Sequence, residues 1–194
     1  MAVIDYTADI QKLYVAYFNR PADYEGLAFW NNVLNNNGGD LAFVSATFAD
    51  SKEYADQNVG KSFYQIVNQI YQNLFNRDAD VQGLEFWAGH LRNGTFTVDE
   101  IVKVIADNAS DTDAKDKTTY ENKVAAAKAF SAELNTASEI IGYSGDAANN
   151  AAKTWLSTVS TTASLNAAIA PTALASTVAS VAAVGLQSGG KATA

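Results

Sequence analysis

LYVAYFNRPADYEGLAFW, at residues 13–30, returns as IYQNLFNRDADVQGLEFW at residues 70–87, with ten of eighteen positions identical at a constant offset of 57. The register holds beyond the phrase: Leu34 matches Leu91, Asn36 matches Asn93, and Ala49-Asp50 matches Ala106-Asp107. A constant offset of this kind marks an internal duplication, each copy being one supersecondary unit. Within each copy the apolar residues keep helical spacing. Ile10, Leu13, Tyr14, Tyr17 and Phe18 fall on one stripe, and Phe63, Ile66, Val67, Ile70, Tyr71, Leu74 and Phe75 form its longer counterpart. β-branched residues nowhere alternate with polar ones for long, which disfavours sheet. The expectation is an all-α fold: tandem duplicated helical repeats at 1–57 and 58–112, then a helical segment at 113–186 forming a small-residue-rich bundle or spiral, and a linker or cut end at 187–194.

Each copy reads as a helix, an Asn-Arg-x-Ala-Asp-x-x-Gly elbow, and a second helix. Asp5 or Thr7 caps the first helix, and Pro21 ends it at Asn19–Ala22, because the residue before proline avoids helical geometry. Asp23 and Asp80 stand where the next helices need a side-chain acceptor. Arg20 and Arg77 stand where the preceding helices need donors for their last carbonyls, and each could also pair with the aspartate three residues on. Gly26 and Gly83, inside the second helices' first turns, predict a close approach to the first helices. Asp40 caps a third stripe of Leu41, Val44 and Phe48, and Thr97–Glu100 reads as a capping box. Residues 111–117 read as a charged linker before a long helix at 118–134. Trp30, Trp87 and Trp155 lie on apolar stripes and are expected in the core.

Thirteen basic residues stand against 21 acidic ones, a net charge of −8. Nucleic acid needs a clustered basic face and is excluded as a partner. With no cysteine there is no disulfide, thiolate metal site or cysteine nucleophile. The start of the chain lacks the basic and apolar pattern of a secretory signal, so an export signal is expected elsewhere, for instance beyond residue 194. Residues 173–186 are too short and too weakly apolar to span a bilayer. From Ala147 onward 28 of 48 residues are Ala, Ser or Thr, which permits close helix packing.

Phosphate loops, nucleophile elbows and His-Glu-x-x-His are absent, so the chain is expected to be no enzyme and to require no cofactor. His90, the sole histidine, reads as a helix-surface residue. The elbows admit a second reading. Asn19, Asp23 and Glu25 in one copy, and Asn76, Asp78 and Asp80 in the other, are oxygen ligands of the kind calcium prefers. Their spacing departs from the twelve-residue calcium loop, and the structural role of the elbow is the stronger reading. Tyr6, Tyr24, Tyr54 and Tyr143 lie off the apolar stripes and are the candidates for stacking on a sugar ring.

The pattern Leu-Tyr-x-Ala-x-x-Asn-Arg-x-Ala-Asp-x-x-Gly-Leu-x-Phe-Trp resembles a helical repeat family of unassigned function. Its domains recur near the N-termini of bacterial surface-layer proteins and other calcium-binding repeats-in-toxin proteins exported by type I secretion. The resemblance covers residues 10–110 as two copies, and the stretches at 120–124, 142–145 and 155–156 look like the segment that follows such domains. It implies a secreted protein of the bacterial cell surface, whose helical region anchors a lattice to lipopolysaccharide O-antigen, with self-association in that lattice and calcium available as an aid. The Gly-Gly-x-Gly-x-Asp array of the calcium-binding part is absent from these residues. A fainter resemblance, to phycobilisome linkers, conflicts with the acidic charge. The rival reading is a helical protein–protein scaffold or linker module within a secreted adhesin.

Overall fold

The structure, a computed structural model, describes residues 3–112 and 114–189. Those residues form twelve helices and no strand. The first copy folds as α1 (Thr7–Phe18), α2 (Tyr24–Asn36), α3 (Leu41–Ala49) and the short α4 (Lys52–Asn58). The second folds as α5 (Phe63–Phe75), α6 (Val81–Asn93) and α7 (Val98–Thr112). Then follow α8 (Ala114–Glu133), α9 (Ala137–Gly142), α10 (Gly145–Leu156), α11 (Thr162–Ala168) and α12 (Pro171–Gly189).

Local chemistry accounts for most of the helix starts. Asp23 and Asp80 accept from the backbone N–H of Gly26 (2.7 Å) and Gly83 (2.8 Å). Asp40 does the same for Phe43, while Ser62 with Gln65 and Thr136 with Glu139 close full capping boxes. Asp5 accepts from the Thr7 N–H at 2.9 Å, and Pro21 does not end α1. The terminator is Asn19, held left-handed at φ 51°; Asn76 does the same at φ 53° in the second copy, where Asp78 replaces the proline. Short polar side chains tolerate that conformation better than most.

Both copies contribute to one shared core. Ile10, Tyr14, Tyr17, Leu34 and Phe48 meet Ile70, Leu74, Phe75, Ile101 and Ile105 there. The three tryptophans, expected inside, are only partly buried and flank the cores. The charged stretch at 111–117 is helical in its described part, and Asp116 is buried. Residue 113, and residues 190–194 of the expected linker or cut end, lie outside the described residues.

From α8 onward the chain forms the small-residue bundle. α12 packs against α9 and α10. At the α9–α12 crossing a Cβ on Gly142 would meet the Ala182 carbonyl oxygen at 2.5 Å, and one on Gly185 would collide with the Gly142 carbonyl. These two backbones touch because neither residue has a side chain. Helix α8 joins the halves of the molecule, packing on α1, α5 and α7 as well as on α10, α11 and α12.

Candidate functional site

The two elbows are built alike. In each, a side-chain amide oxygen from the first helix, Gln11 Oε1 or its counterpart Asn68 Oδ1, accepts from the elbow alanine's N–H at 3.0 or 2.9 Å. A Cβ on Gly26 would collide with the Tyr14 hydroxyl, and one on Gly83 would sit 3.1 Å from the Tyr71 hydroxyl, so the glycines admit the tyrosines. The arginines lie over aromatic faces: Arg20 is 5.0 Å from the Tyr14 ring centre and Arg77 is 5.3 Å from that of Tyr71. Each forms a two-pronged ion pair, but with a distant carboxylate. Arg20 grips Glu53 of α4 at 2.9 and 2.7 Å, and Arg77 grips Asp116 of α8 at 2.9 and 2.5 Å. The expected pairing with the aspartate three residues on is secondary: Arg20 to Asp23 spans 3.4 Å. The carbonyls that the arginines reach are Pro21 and Asp78, in the elbows themselves.

The copies differ in how their rings are packed. In the first, the Phe48 ring is enclosed by Tyr14, Phe18 and Trp30, each with its ring centre 5.1 Å away. Ile105 holds the equivalent position in the second copy, and lines a cavity of about 450 Å³. Tyr71, Phe75 and Trp87 give it aromatic walls, while Arg77, Asp80, Asn108 and Asp116 give it polar ones. The Arg77 side chain is 40% exposed against 6% for Arg20. Burial raises the Tyr71 phenol pKa, opposed by Trp87 and Arg77, so the hydroxyl stays protonated at neutral pH. The cavity thus combines flat apolar rings with a hydroxyl, a guanidinium, an amide and carboxylates.

Among the tyrosines singled out for sugar stacking, Tyr54 and Tyr143 are buried, contrary to expectation. Tyr54 packs edge-on to Tyr17 at 5.4 Å, and the Tyr143 hydroxyl donates to the Pro21 carbonyl at 2.7 Å. Tertiary packing claims both, although Tyr143 still lines, with Tyr24, Arg20 and Asp23, a cavity of about 400 Å³. Tyr24 is 53% exposed and Tyr6 half-buried. Trp87 and Tyr71, assigned to the core from sequence, face the second-copy cavity together with Phe75.

Several of the elbow oxygens considered for calcium are engaged within the fold, whereas Asn19 Oδ1 has no hydrogen bond. Asp23 and Asp80 cap helices, Asp78 accepts from Asn68 (2.7 Å) and Gln72 (2.8 Å), and Asn76 accepts from the Lys123 ammonium at 2.7 Å. A bonded ammonium is incompatible with a calcium ion at the same oxygen, so Asn76 Oδ1 is not available as a calcium ligand. Among the described residues no group of three or more His, Cys, Asp or Glu side chains converges. Asn19 and Asn76 instead meet the same segment of α10's end: Asn19 donates to Ser157 Oγ at 3.0 Å, and Asn76 to the Ser157 and Val159 carbonyls at 2.9 Å. His90 sits among rings, 4.5 Å from Phe86 and 4.9 Å from Phe96.

Sequence reasoning did not find Glu53, Asp116, Lys123 or Asn73. The Asn73 amide donates to the Ala16 and Tyr17 carbonyls of α1 at 2.9 and 3.2 Å. Lys123, fully buried, donates to the Asn73 carbonyl at the end of α5. Both supply donors to helix ends, the task first assigned to the arginines.

No single helix among the described residues is long and apolar enough to cross a membrane. The sequence matches the family described as a domain of unknown function (DUF4214) over residues 45–110. No curated protein and no solved structure matches the chain. The matched stretch runs from α3 into α7 and so contains the whole second elbow.

Proposed function

We propose that this chain is a non-catalytic anchoring module of a secreted surface-layer protein, and that it holds lipopolysaccharide O-antigen glycan on the bacterial cell surface. The observation that carries this reading is the second-copy cavity, where Ile105 stands at the position of the first copy's Phe48. A sugar ring presents an apolar face of C–H groups and a rim of hydroxyls. Trp87 and Tyr71 match the face, while Arg77, Asp80, Asn108 and Asp116 match the rim. The cavity's volume falls within the range of roughly 300–1,000 Å³ common for ligand sites. Neutral sugar contacts also answer the repulsion between a chain of net charge −8 and an anionic envelope. Calcium enters only as an ion between acidic surfaces, including those of neighbouring copies in a lattice.

The test is retention of the purified chain on cells and on isolated lipopolysaccharide, with and without O-antigen, each with calcium and with chelator. O-antigen-dependent retention is expected, and Ile105→Phe, which gives the second copy the first copy's ring, should reduce it about tenfold or more while helix content is kept. Absence of retention in every arm removes the reading. A second reading, a protein–protein scaffold, draws support from Phe29 and Phe86, equivalent residues left 58% and 56% exposed. It predicts that a protein rather than a glycan is captured, and that Ile105→Phe has no effect on capture.

A further inference from the structure

A smaller cavity of about 210 Å³ lies beside the C-terminal end of α1, away from the aromatic site. Its polar walls are Asn19, Gln57, Lys61, Gln69, Asn73 and Lys153. Lys61 and Lys153 are half-buried. Neither belongs to the ion pairs found among the described residues. Lys61 reaches only the Gln69 amide oxygen, at 3.4 Å. Burial lowers the pKa of both lysines; at Lys153 nearby Glu53 and Asp146 oppose that fall, and the positive charges of Arg20 and Lys61 add to it. Lys61 and Lys153 therefore both line one small space with no carboxylate bonded to either, and Lys153 also lines the neighbouring cavity that holds Glu53, Asp56 and Asp146.

Two further polar atoms point to a missing partner. Gln57 Nε2, a donor, and Asn19 Oδ1, an acceptor, are buried without a hydrogen bond, a condition that folded proteins rarely leave unrelieved. The second copy supplies an internal comparison. There the equivalent oxygen, Asn76 Oδ1, is satisfied by Lys123, which also caps α5. In the first copy the α1 carbonyls are capped by the Asn73 amide, and the Asn19 oxygen is left open.

We propose that this cavity binds a small oxyanion that also carries a hydroxyl: Lys61, Lys153 and Gln57 Nε2 hold the charged oxygens, and Asn19 Oδ1 accepts the hydroxyl hydrogen. Dihydrogen phosphate and a sugar acid share that chemistry. Charge-assisted hydrogen bonds from two partly desolvated ammonium groups supply the attraction, and the bound charge relieves the repulsion between them. The site is independent of the glycan reading, since it uses none of the residues of the second-copy cavity.

The experiment titrates the full chain with inorganic phosphate, glucuronate, sulfate and chloride at matched ionic strength. The readouts are the Gln57 and Asn19 side-chain amide signals by NMR and the thermal midpoint. Phosphate or glucuronate is expected to shift both amides saturably at millimolar concentration and to raise the midpoint; the tighter of the two identifies the source of the oxyanion. Sulfate, which has no hydroxyl at neutral pH, should bind more weakly. Lys153→Met should weaken binding about tenfold and abolish the midpoint rise, while keeping the fold because it removes an unpaired, desolvated charge. Lys61→Met, at a less buried site, gives a second reading of the same loss. The proposal is overturned if neither phosphate nor glucuronate gives a saturable shift, if chloride or sulfate matches them, or if both lysine variants respond as the parent does.

Discussion

Asn76 does three things at one backbone position. It turns the chain through φ 53°, donates to the Ser157 and Val159 carbonyls, and accepts from Lys123. Asn19 shares the turn but bonds α10's end through Ser157 Oγ alone. These roles can be separated by substitution. An alanine must adopt the left-handed turn, at about 1–2 kcal/mol, and also loses the side-chain bonds, each contributing about 1 kcal/mol. A glycine loses only the bonds. Urea unfolding should therefore rank Asn76→Ala below Asn76→Gly by about 1 kcal/mol, with Asn19→Gly milder than Asn76→Gly. Equal midpoints for the two Asn76 variants would show that the backbone turn carries no penalty. The sequence reading credited the turn to Pro21, yet the second copy turns identically without it, so the shared asparagine was the informative residue.

At the scale of elements, the elbows are fastened by carboxylates that do not repeat. Glu53 belongs to α4 and Asp116 to α8, 33 and 39 residues beyond their arginines. One register step on from Glu53 is Ser110, and one step back from Asp116 is Val59. The duplication thus conceals the very contacts that close each copy: caps, glycines and apolar stripes lie within a few residues and are legible, whereas these ion pairs depend on how later helices return. Tyr54 and Tyr143 were misread for the same reason, as tertiary contacts bury them from outside their own helical stripes. The cavity is a partial exception. Aligning Phe48 with Ile105 shows a lost ring, but only the packing of Tyr14, Phe18 and Trp30 around Phe48 shows how the first copy encloses it. The ties differ in depth, which fixes their expected strength. Arg20→Met should lower stability by about 3 kcal/mol, since it leaves a partly buried Glu53 without its cation. Arg77→Met should lower it at least as much: the Arg77 side chain is 40% exposed, but its loss strands Asp116, whose side chain is only 4% exposed against 30% for Glu53. Urea midpoints of the two variants test the order.

The whole molecule hangs on α8, which touches both repeats and the small-residue bundle, and which carries the most deeply buried cation. Lys123 is fully buried, its ammonium bonded to backbone oxygens of α5 and to Asn76 with no carboxylate partner among the described residues. Burial pushes its pKa from 10.5 down to about 7. Between those values the unfolded chain holds a proton that the folded chain has released, so stability rises with pH across that window. Buried phenols act in the opposite direction at higher pH. Burial raises Tyr14, Tyr17, Tyr120 and Tyr143 well above 10.0 and pushes Tyr54 up to about 12. Above pH 10 the unfolded chain sheds phenolic protons that the folded chain keeps, and the stability they contribute below that pH is lost. The two trends meet near pH 10, so a thermal-midpoint profile from about pH 6 to about pH 11 should climb gently, peak near there and then fall steeply. Lys123→Met tests the first limb: its midpoint should be lower by about 1–3 kcal/mol of stability, because α5 carbonyls lose their donor, and its climb from pH 7 to the alkaline fall should be reduced to the smaller rise left by Lys61 and Lys153, whose pKa values burial also lowers. A climb undiminished in Lys123→Met would assign the alkaline gain to groups other than this lysine.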